Sequence, residues 1–188
     1  MGGLSTKSNQ KTKKIIRKKI VVIGLESVGK TTLVQKLKYG EPVDIKPTLG
    51  FNLESFKSNG LDLMVFDIAG GARSMWPHYL NDADIIIYVV DSTDPSSLNI
   101  VTDVFHSIST QVNESGCLFM CLLNKSDLKE SFTNDLFIEK TKVYNIFNCD
   151  FLLQRTSNVS GEGIDKLLER IEGYFRSLDI FCTEMTEN

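Results

Sequence analysis

The sequence predicts a single α/β domain built on a mostly parallel six-stranded sheet with helices on both faces. Three observations carry that expectation. Short β-branched and aliphatic runs recur along the chain, apolar at consecutive rather than alternate positions, as in strands buried on both sides. Stretches with apolar residues at helical spacing separate most of them. Asn59-Gly60 joins two further strand-like runs and marks a hairpin.

Taken in order, Ile20–Ile23 is the first strand, and Gly29–Tyr39 a helix with Leu33, Val34 and Leu37 on one side. The hairpin pairs 51–56 with 61–66 across the turn Ser58-Asn59-Gly60. Residues 85–90 form a buried strand, and Asp91-Ser92-Thr93-Asp94-Pro95 after it has the form of a helix start. Residues 118–123 make a further strand, 136–146 a helix and 150–153 the last strand. Residues 163–178 close the domain as a helix, with Ile164, Leu167, Leu168, Ile171 and Phe175 along one face.

Composition narrows the class. At 188 residues, with 41% hydrophobic and 24% charged side chains, the chain has the size and balance of one globular domain. No apolar run approaches the roughly 18 residues of a membrane span. Cys117, Cys121, Cys149 and Cys182 lack zinc-site spacing and are expected to be reduced thiols used as small apolar side chains.

Charge is distributed unevenly. The first nineteen residues hold seven of the 21 basic side chains (Lys7, Lys11, Lys13, Lys14, Arg17, Lys18 and Lys19) and no acid, whereas all 24 acids lie beyond them. A basic arm (1–19) on an acidic domain (20–180), followed by a short tail (181–188), suits an anionic membrane surface better than nucleic acid, which the body would repel. Met1-Gly2-Gly3-Leu4-Ser5-Thr6 also fits the pattern for acylation at Gly2. One acyl chain binds membranes only marginally, with an association constant of about 10⁴ M⁻¹. The basic residues are the expected second signal, at roughly 1 kcal/mol for each one near the surface.

The first strand–helix junction is built for phosphate. Gly24-Leu25-Glu26-Ser27-Val28-Gly29-Lys30-Thr31, followed by Thr32, is a complete G-x-x-x-x-G-K-[ST] loop between a strand and a helix. Its glycines let backbone N–H groups close around phosphate oxygens at the helix N-terminus. Lys30 adds a point charge, and the Thr31 hydroxyl can ligate Mg²⁺. Asn124-Lys125-Ser126-Asp127, at the end of an apolar strand, supplies the base reading. The Asp127 carboxylate can accept two N–H groups from the guanine Watson–Crick edge, a pattern adenine does not offer.

With Pro47-Thr48-Leu49-Gly50-Phe51-Asn52, Asp67-Ile68-Ala69-Gly70, and Trp76 with His78-Tyr79, these motifs make the chain resemble the Arf/Arl (ADP-ribosylation factor-like) branch of the Ras-type small GTPases. The resemblance runs from about residue 15 to 178 and implies a P-loop NTPase of the Ras-like G-domain type. It implies binding of GTP and GDP with Mg²⁺, the ion held by Thr31 and Thr48 and, through water, by Asp67. Thr48 and the Gly70 N–H would contact the γ-phosphate and release on its loss. Ser157-Asn158-Val159 occupies the place of the second guanine-reading loop, whose middle residue offers its N–H to the base. The 51–66 hairpin would slide in register between the GDP and GTP forms and so couple nucleotide to the arm. Exchange factor, activating protein and effectors would bind the switch and hairpin surface, including Phe51, Phe66 and Tyr79 with Trp76 nearby. The implied protein is a cytoplasmic monomer, peripherally membrane-bound when GTP-loaded.

Gly71 departs from the family pattern, which has a water-positioning glutamine there. No firm catalytic residue remains, hydrolysis is expected to be very slow, and the segment 67–76 is about two residues short. Arg73 is expected to face solvent or a partner rather than the phosphates. The alternative is a GTP-binding adaptor with almost no turnover. A metabolic kinase would need lid arginines, and none lies between Arg73 and Arg155.

Overall fold

The computed structural model describes residues 16–41, 46–146 and 148–186. Strands β1 (Ile16–Ile23), β2 (Phe51–Ser58), β3 (Leu61–Ile68), β4 (Ile85–Asp91), β5 (Leu118–Asn124) and β6 (Asp150–Arg155) form one sheet in the order β2-β3-β1-β4-β5-β6. Only the β2–β3 pair is antiparallel. The expected six-stranded, mostly parallel architecture is the one observed.

Consecutive apolar residues in the central strands feed two cores. Val21, Ile23, Tyr88, Val90, Phe119 and Cys121 meet α2 (Trp76–Leu80), α3 (Leu98–Ser115) and α4 (Asn134–Thr141). Ile20, Val22, Ile87, Val89, Met120 and Leu122 meet α1 (Lys30–Tyr39) and α5 (Ile164–Thr186) on the opposite face. The period-two geometry of a strand divides each run between the faces, which is why these strands read as continuous apolar segments. Cys117 and Cys121 are buried, and burial pushes the Cys149 thiol up to about 11, so these cysteines pack rather than react.

Local chemistry sets the element ends. Asn59 and Gly60 have φ of 46° and 92°, the paired left-handed conformation of a tight hairpin turn. The Asp94 carboxylate accepts from the Ser96 and Ser97 backbone N–H groups at 3.1 and 3.3 Å, capping the turn that leads into α3. Lys142, with φ of 49°, ends α4, so the helix expected over 136–146 is instead α4 followed by a short 3₁₀ turn over Val143–Asn145. α5 continues to Thr186, beyond the expected end at 178 and through most of the segment read as a tail.

The start of β1 corrects the arm boundary. Arg17, Lys18 and Lys19 belong to the sheet, opposite Asp62, Leu63 and Met64 of β3. Arg17 pairs with Asp62 at 3.2 Å and Lys18 with Asp84 at 3.1 Å. The Lys19 backbone N–H donates to Asp84 at 2.7 Å, and its ammonium to the Asn81 carbonyl at 2.8 Å. Charge complementarity across 45 to 66 residues of sequence thus extends the strand beyond its apolar part. The arm keeps Lys7, Lys11, Lys13 and Lys14; these, Gly2 and the side chain of Cys182 lie outside the described residues. Among the described residues no helix is long and apolar enough to cross a membrane.

Candidate functional site: a phosphate cradle and a base-reading loop

The cradle forms where β1 ends. Gly24 has φ of +150°, and a Cβ built on it would lie 2.3 Å from the Val89 carbonyl oxygen of β4, so the chain passes closer than any side chain allows. Ser27 and Gly29 follow with φ of 59° and 95°, winding the loop into α1. The first turn of α1 carries no acidic residue of its own, which suits a helix N-terminus that is to meet an anion. The Lys30 ammonium donates to the Leu25 carbonyl at 2.8 Å and spans the loop. Burial lowers its pKa, an effect opposed by attraction to Asp67 and Glu26. The resulting cavity, of about 700 Å³, is lined by Glu26, Lys30, Thr31, Thr48, Gly70 and Gly71 among others.

On one side of the cavity three oxygens converge. Thr31 Oγ1 donates to Asp67 Oδ2 at 2.6 Å and lies 2.9 Å from Thr48 Oγ1, which itself lies 3.2 Å from the same carboxylate oxygen. β3 places Asp67 there, opposite Val22 and Asn52 in the sheet. The Ala69 N–H donates to the Gly50 carbonyl at 2.9 Å, joining the segment around Thr48 to that around Gly70. Gly70 is laid directly on the loop, since a Cβ there would meet Glu26 N at 2.4 Å.

Asn124, at the end of β5, knits the base side together. Its Nδ2 donates to the Val28 carbonyl at 2.8 Å, and its Oδ1 accepts from the Asn158 backbone N–H at 3.3 Å. The Asn158 side chain donates to the Gly29 carbonyl at 2.8 Å. Two asparagines therefore clamp the phosphate loop to both base-side loops. The Asn158 N–H, expected from the resemblance to face the base, here donates to Asn124, and residue 158 is buried. Ser157 is also buried, its hydroxyl accepting from the Ser160 N–H at 3.0 Å. Asp127 stands exposed at the rim, after Ser126 has tied the loop to the Thr156 carbonyl at 3.0 Å.

Asp91 was not foreseen in this site. Its carboxylate pairs with the Lys125 ammonium at 2.5 Å and accepts from Thr93. Burial alone would raise its carboxyl, yet the hydrogen bonds from Lys125 and Thr93 bring it below the usual range. The signal available in the sequence was its place at the end of an apolar run, as for Asn124; only the pairing of β4 with β5 sets the two side by side.

The family model described as the ADP-ribosylation factor family matches residues 4–175. The chain belongs to the ADP-ribosylation factor family. It is 30% identical to ADP-ribosylation factor 1 of Brassica rapa subsp. pekinensis over 161 residues, covering 85% of this chain and 88% of that protein. It is 32% identical to ADP-ribosylation factor-like protein 1 of Drosophila melanogaster, covering 85% and 89%. Among solved structures, the Arl6 BBS3 small GTPase of Trypanosoma brucei, with the nucleotide analogue GppNp bound, has the same fold. That match has a TM-score of 0.75 at 24% identity and covers 84% of this chain and 96% of that one. Members of the ADP-ribosylation factor family are GTP-binding switches and GTP hydrolases.

Within this member of the family, the donor set fits a hard cation. Thr31 and Thr48 supply hydroxyl oxygens beside the Asp67 carboxylate, whose buried Oδ1 has no hydrogen-bond partner. Oxygen ligands completed by water and substrate phosphates are what Mg²⁺ takes. Among the described residues no cluster of His, Cys, Asp and Glu offers a self-contained metal cage. Burial raises the Asp67 carboxyl above the usual range, against the hydrogen bonds from Thr31 and Thr48 and the attraction of Lys30. An acid so raised holds its proton more readily folded than unfolded, so ionised Asp67 costs stability at neutral pH in protein freed of ligand. Asp67→Asn is therefore expected to raise the thermal midpoint of nucleotide-free protein at pH 7, the gain shrinking as pH falls toward 3.8. Thermal unfolding across that range checks the sign; a lower midpoint for the variant at pH 7 contradicts it.

The family's glutamine position, Gly71, is exposed and its segment bends into a 3₁₀ turn over Arg73–Met75. Arg73 lines a separate groove with Trp76, Pro77 and Gln111 rather than the phosphate cavity. Phe51, Phe66 and Tyr79 form one aromatic cluster, with centroids 5.3 to 6.5 Å apart. Trp76, expected beside that surface, is the first residue of α2 and its side chain is buried in the core.

Proposed function

We propose that this chain is a GTP-dependent switch that recruits effectors to membranes and hydrolyses GTP very slowly without a partner. The observation that carries the reading is the convergence of Thr31, Thr48 and Asp67 at the mouth of the phosphate loop. Thr48 reaches this point from a separate segment, so a ligand that holds it also holds the flanking chain. Mg²⁺, held by the two threonine hydroxyls and through water by Asp67, would neutralise phosphate charge. Lys30 and the N–H groups of residues 24–32 orient the phosphates, and Asp127 selects guanine.

The aromatic cluster of Phe51, Phe66 and Tyr79 supports an effector surface, because Phe51 is 43% exposed although it is a large apolar side chain. Exchange factor and activating protein would use the same switch and hairpin face. The chain would act as a cytoplasmic monomer, brought to anionic membrane by an acylated Gly2 and the remaining arm lysines. Gly71 favours a second reading, a GTP-binding adaptor with almost no turnover, since glycine has no side chain to hold a water.

Calorimetry on nucleotide-stripped protein, followed by single-turnover hydrolysis, tests the proposal. GTP should bind at least about 10³-fold more tightly than ATP, because adenine cannot supply the paired N–H groups that Asp127 accepts. Hydrolysis should run below the roughly 10⁻⁴ s⁻¹ of an unassisted Ras-type enzyme. Equal affinity for ATP removes the guanine reading, and a faster rate removes the slow-turnover one. Hydrolysis stimulated by cell extract favours the switch over the adaptor.

A further inference from the structure

We propose that Glu26 of the phosphate loop orients the attacking water in GTP hydrolysis by this chain; the inference rests on the GTP reading above. A Cβ built on Gly71 would lie 2.7 Å from Glu26 Oε1 and 3.9 Å from its carboxyl carbon. The space into which a side chain at residue 71 would begin is therefore already held by the Glu26 carboxylate. Gly70 packs on the backbone of Leu25 and Glu26, so residue 26 lies at the seam between the phosphate loop and the 70–71 segment. Glu26 also lines the same cavity as Lys30, Thr31 and Thr48.

The other carboxylate beside the cavity has a different task. Asp67 is buried and engaged by Thr31 and Thr48, whereas Glu26 is exposed and takes part in none of the described hydrogen bonds. Glu26 and the Lys30 ammonium, which attract one another, line the same cavity. An ionised carboxylate accepts hydrogen bonds and donates none. Glu26 can thus hold a water by one of its O–H groups and aim the oxygen lone pair, but it cannot donate to the transferring phosphoryl oxygens as a glutamine amide can. Its negative charge also stands near the charge already on the phosphates. Both limits make the residue a weak substitute, in keeping with slow turnover.

In the step itself, the water oxygen forms its bond to the γ-phosphorus as the bond from that phosphorus to the β–γ bridging oxygen breaks. The electron pair of the broken bond leaves with GDP. The proton that the water shares with Glu26 ends on inorganic phosphate, which returns the carboxylate to its starting state.

Single-turnover hydrolysis by the full chain preloaded with GTP tests this, with dissociation of a fluorescent GTP analogue measured on the same proteins. Glu26→Ala should hydrolyse bound GTP about 10²-fold more slowly, the scale of a lost proton-accepting group, while releasing the analogue no faster than the parent, since the substitution also removes a negative charge beside the phosphates. Glu26→Asp, with a shorter reach, should fall between the two. Gly71→Gln should raise the rate further in the Glu26→Ala background than in the parent, because only there is the space beside residue 71 clear. A Glu26→Ala protein that retains the analogue and hydrolyses GTP at the parental rate or faster overturns the inference. Failure of the parent itself to retain the analogue overturns the GTP reading instead, and is read before any hydrolysis is measured.

Discussion

Gly29→Ala should lower GTP affinity at least about 30-fold while leaving the sheet intact. A Cβ at this position would lie 2.6 Å from Asn124 Nδ2 and 2.9 Å from Asn158 Nδ2, on a backbone with φ of +95°. Those two nitrogens hold the Val28 and Gly29 carbonyls, so the methyl group parts the phosphate loop from both base-side loops at once. Each hydrogen bond is worth about 0.5–1.5 kcal/mol net, and the strained backbone adds about 1–3 kcal/mol. Their sum spans roughly 2–6 kcal/mol, and about 1.4 kcal/mol is tenfold in affinity. Dissociation of a fluorescent GTP analogue, with circular dichroism as the control for folding, reads the effect. Unchanged dissociation would mean that the asparagine clamp does not shape the site.

Gly24→Ala should destabilise the whole domain, by about 4 kcal/mol or more, a size reserved for substitutions the packing cannot absorb. The obstacle here is main chain. The added Cβ would stand 2.3 Å from the Val89 carbonyl oxygen and 3.1 Å from Val28 Cγ2. Val89 lies within β4, paired to β5 and next to β1 at the centre of the sheet, so its carbonyl cannot move without parting the ladder. Urea unfolding of the nucleotide-free protein gives the difference. A loss below about 1 kcal/mol would show that β1 and β4 can separate at little cost, contrary to an interior packed to crystal density.

The two glycines illustrate how much of the site could be read along the chain. Their spacing around Lys30, and the Asn124-to-Asp127 loop at the end of an apolar strand, are local patterns, and local patterns survive in a sequence. The same holds for the strands β4 and β5, whose residues are buried on both faces and so apolar without interruption. The first residues of β1 were hidden for the opposite reason. Arg17, Lys18 and Lys19 look like part of a basic arm until Asp62 and Asp84 are brought beside them by pairing with β3 and the turn before β4. Trp76 is similar: within the sequence it stands between Met75 and Pro77, both of them exposed, and only the docking of α2 on the sheet buries it.

Gly71 marks the boundary most clearly. Absence of a side chain at that position is visible in the sequence, and the proposal of slow hydrolysis rests on it. What fills the space is not visible, because Glu26 is 45 residues earlier and carries no mark that distinguishes it from its neighbours in the loop.

By itself the amino-acid sequence determined the α/β class, the order of strands and helices along the chain, the glycine-rich loop of residues 24–31 and the Asn124-to-Asp127 tetrapeptide, since each depends on residues adjacent or at fixed short spacing. The tertiary structure alone decided where the basic arm ends, how Asn124 and Asn158 clamp three loops together, and which carboxylate stands beside Gly71. Those outcomes depend on contacts between segments remote in the chain, and such contacts exist only after the apolar runs have been buried and the sheet has set its register.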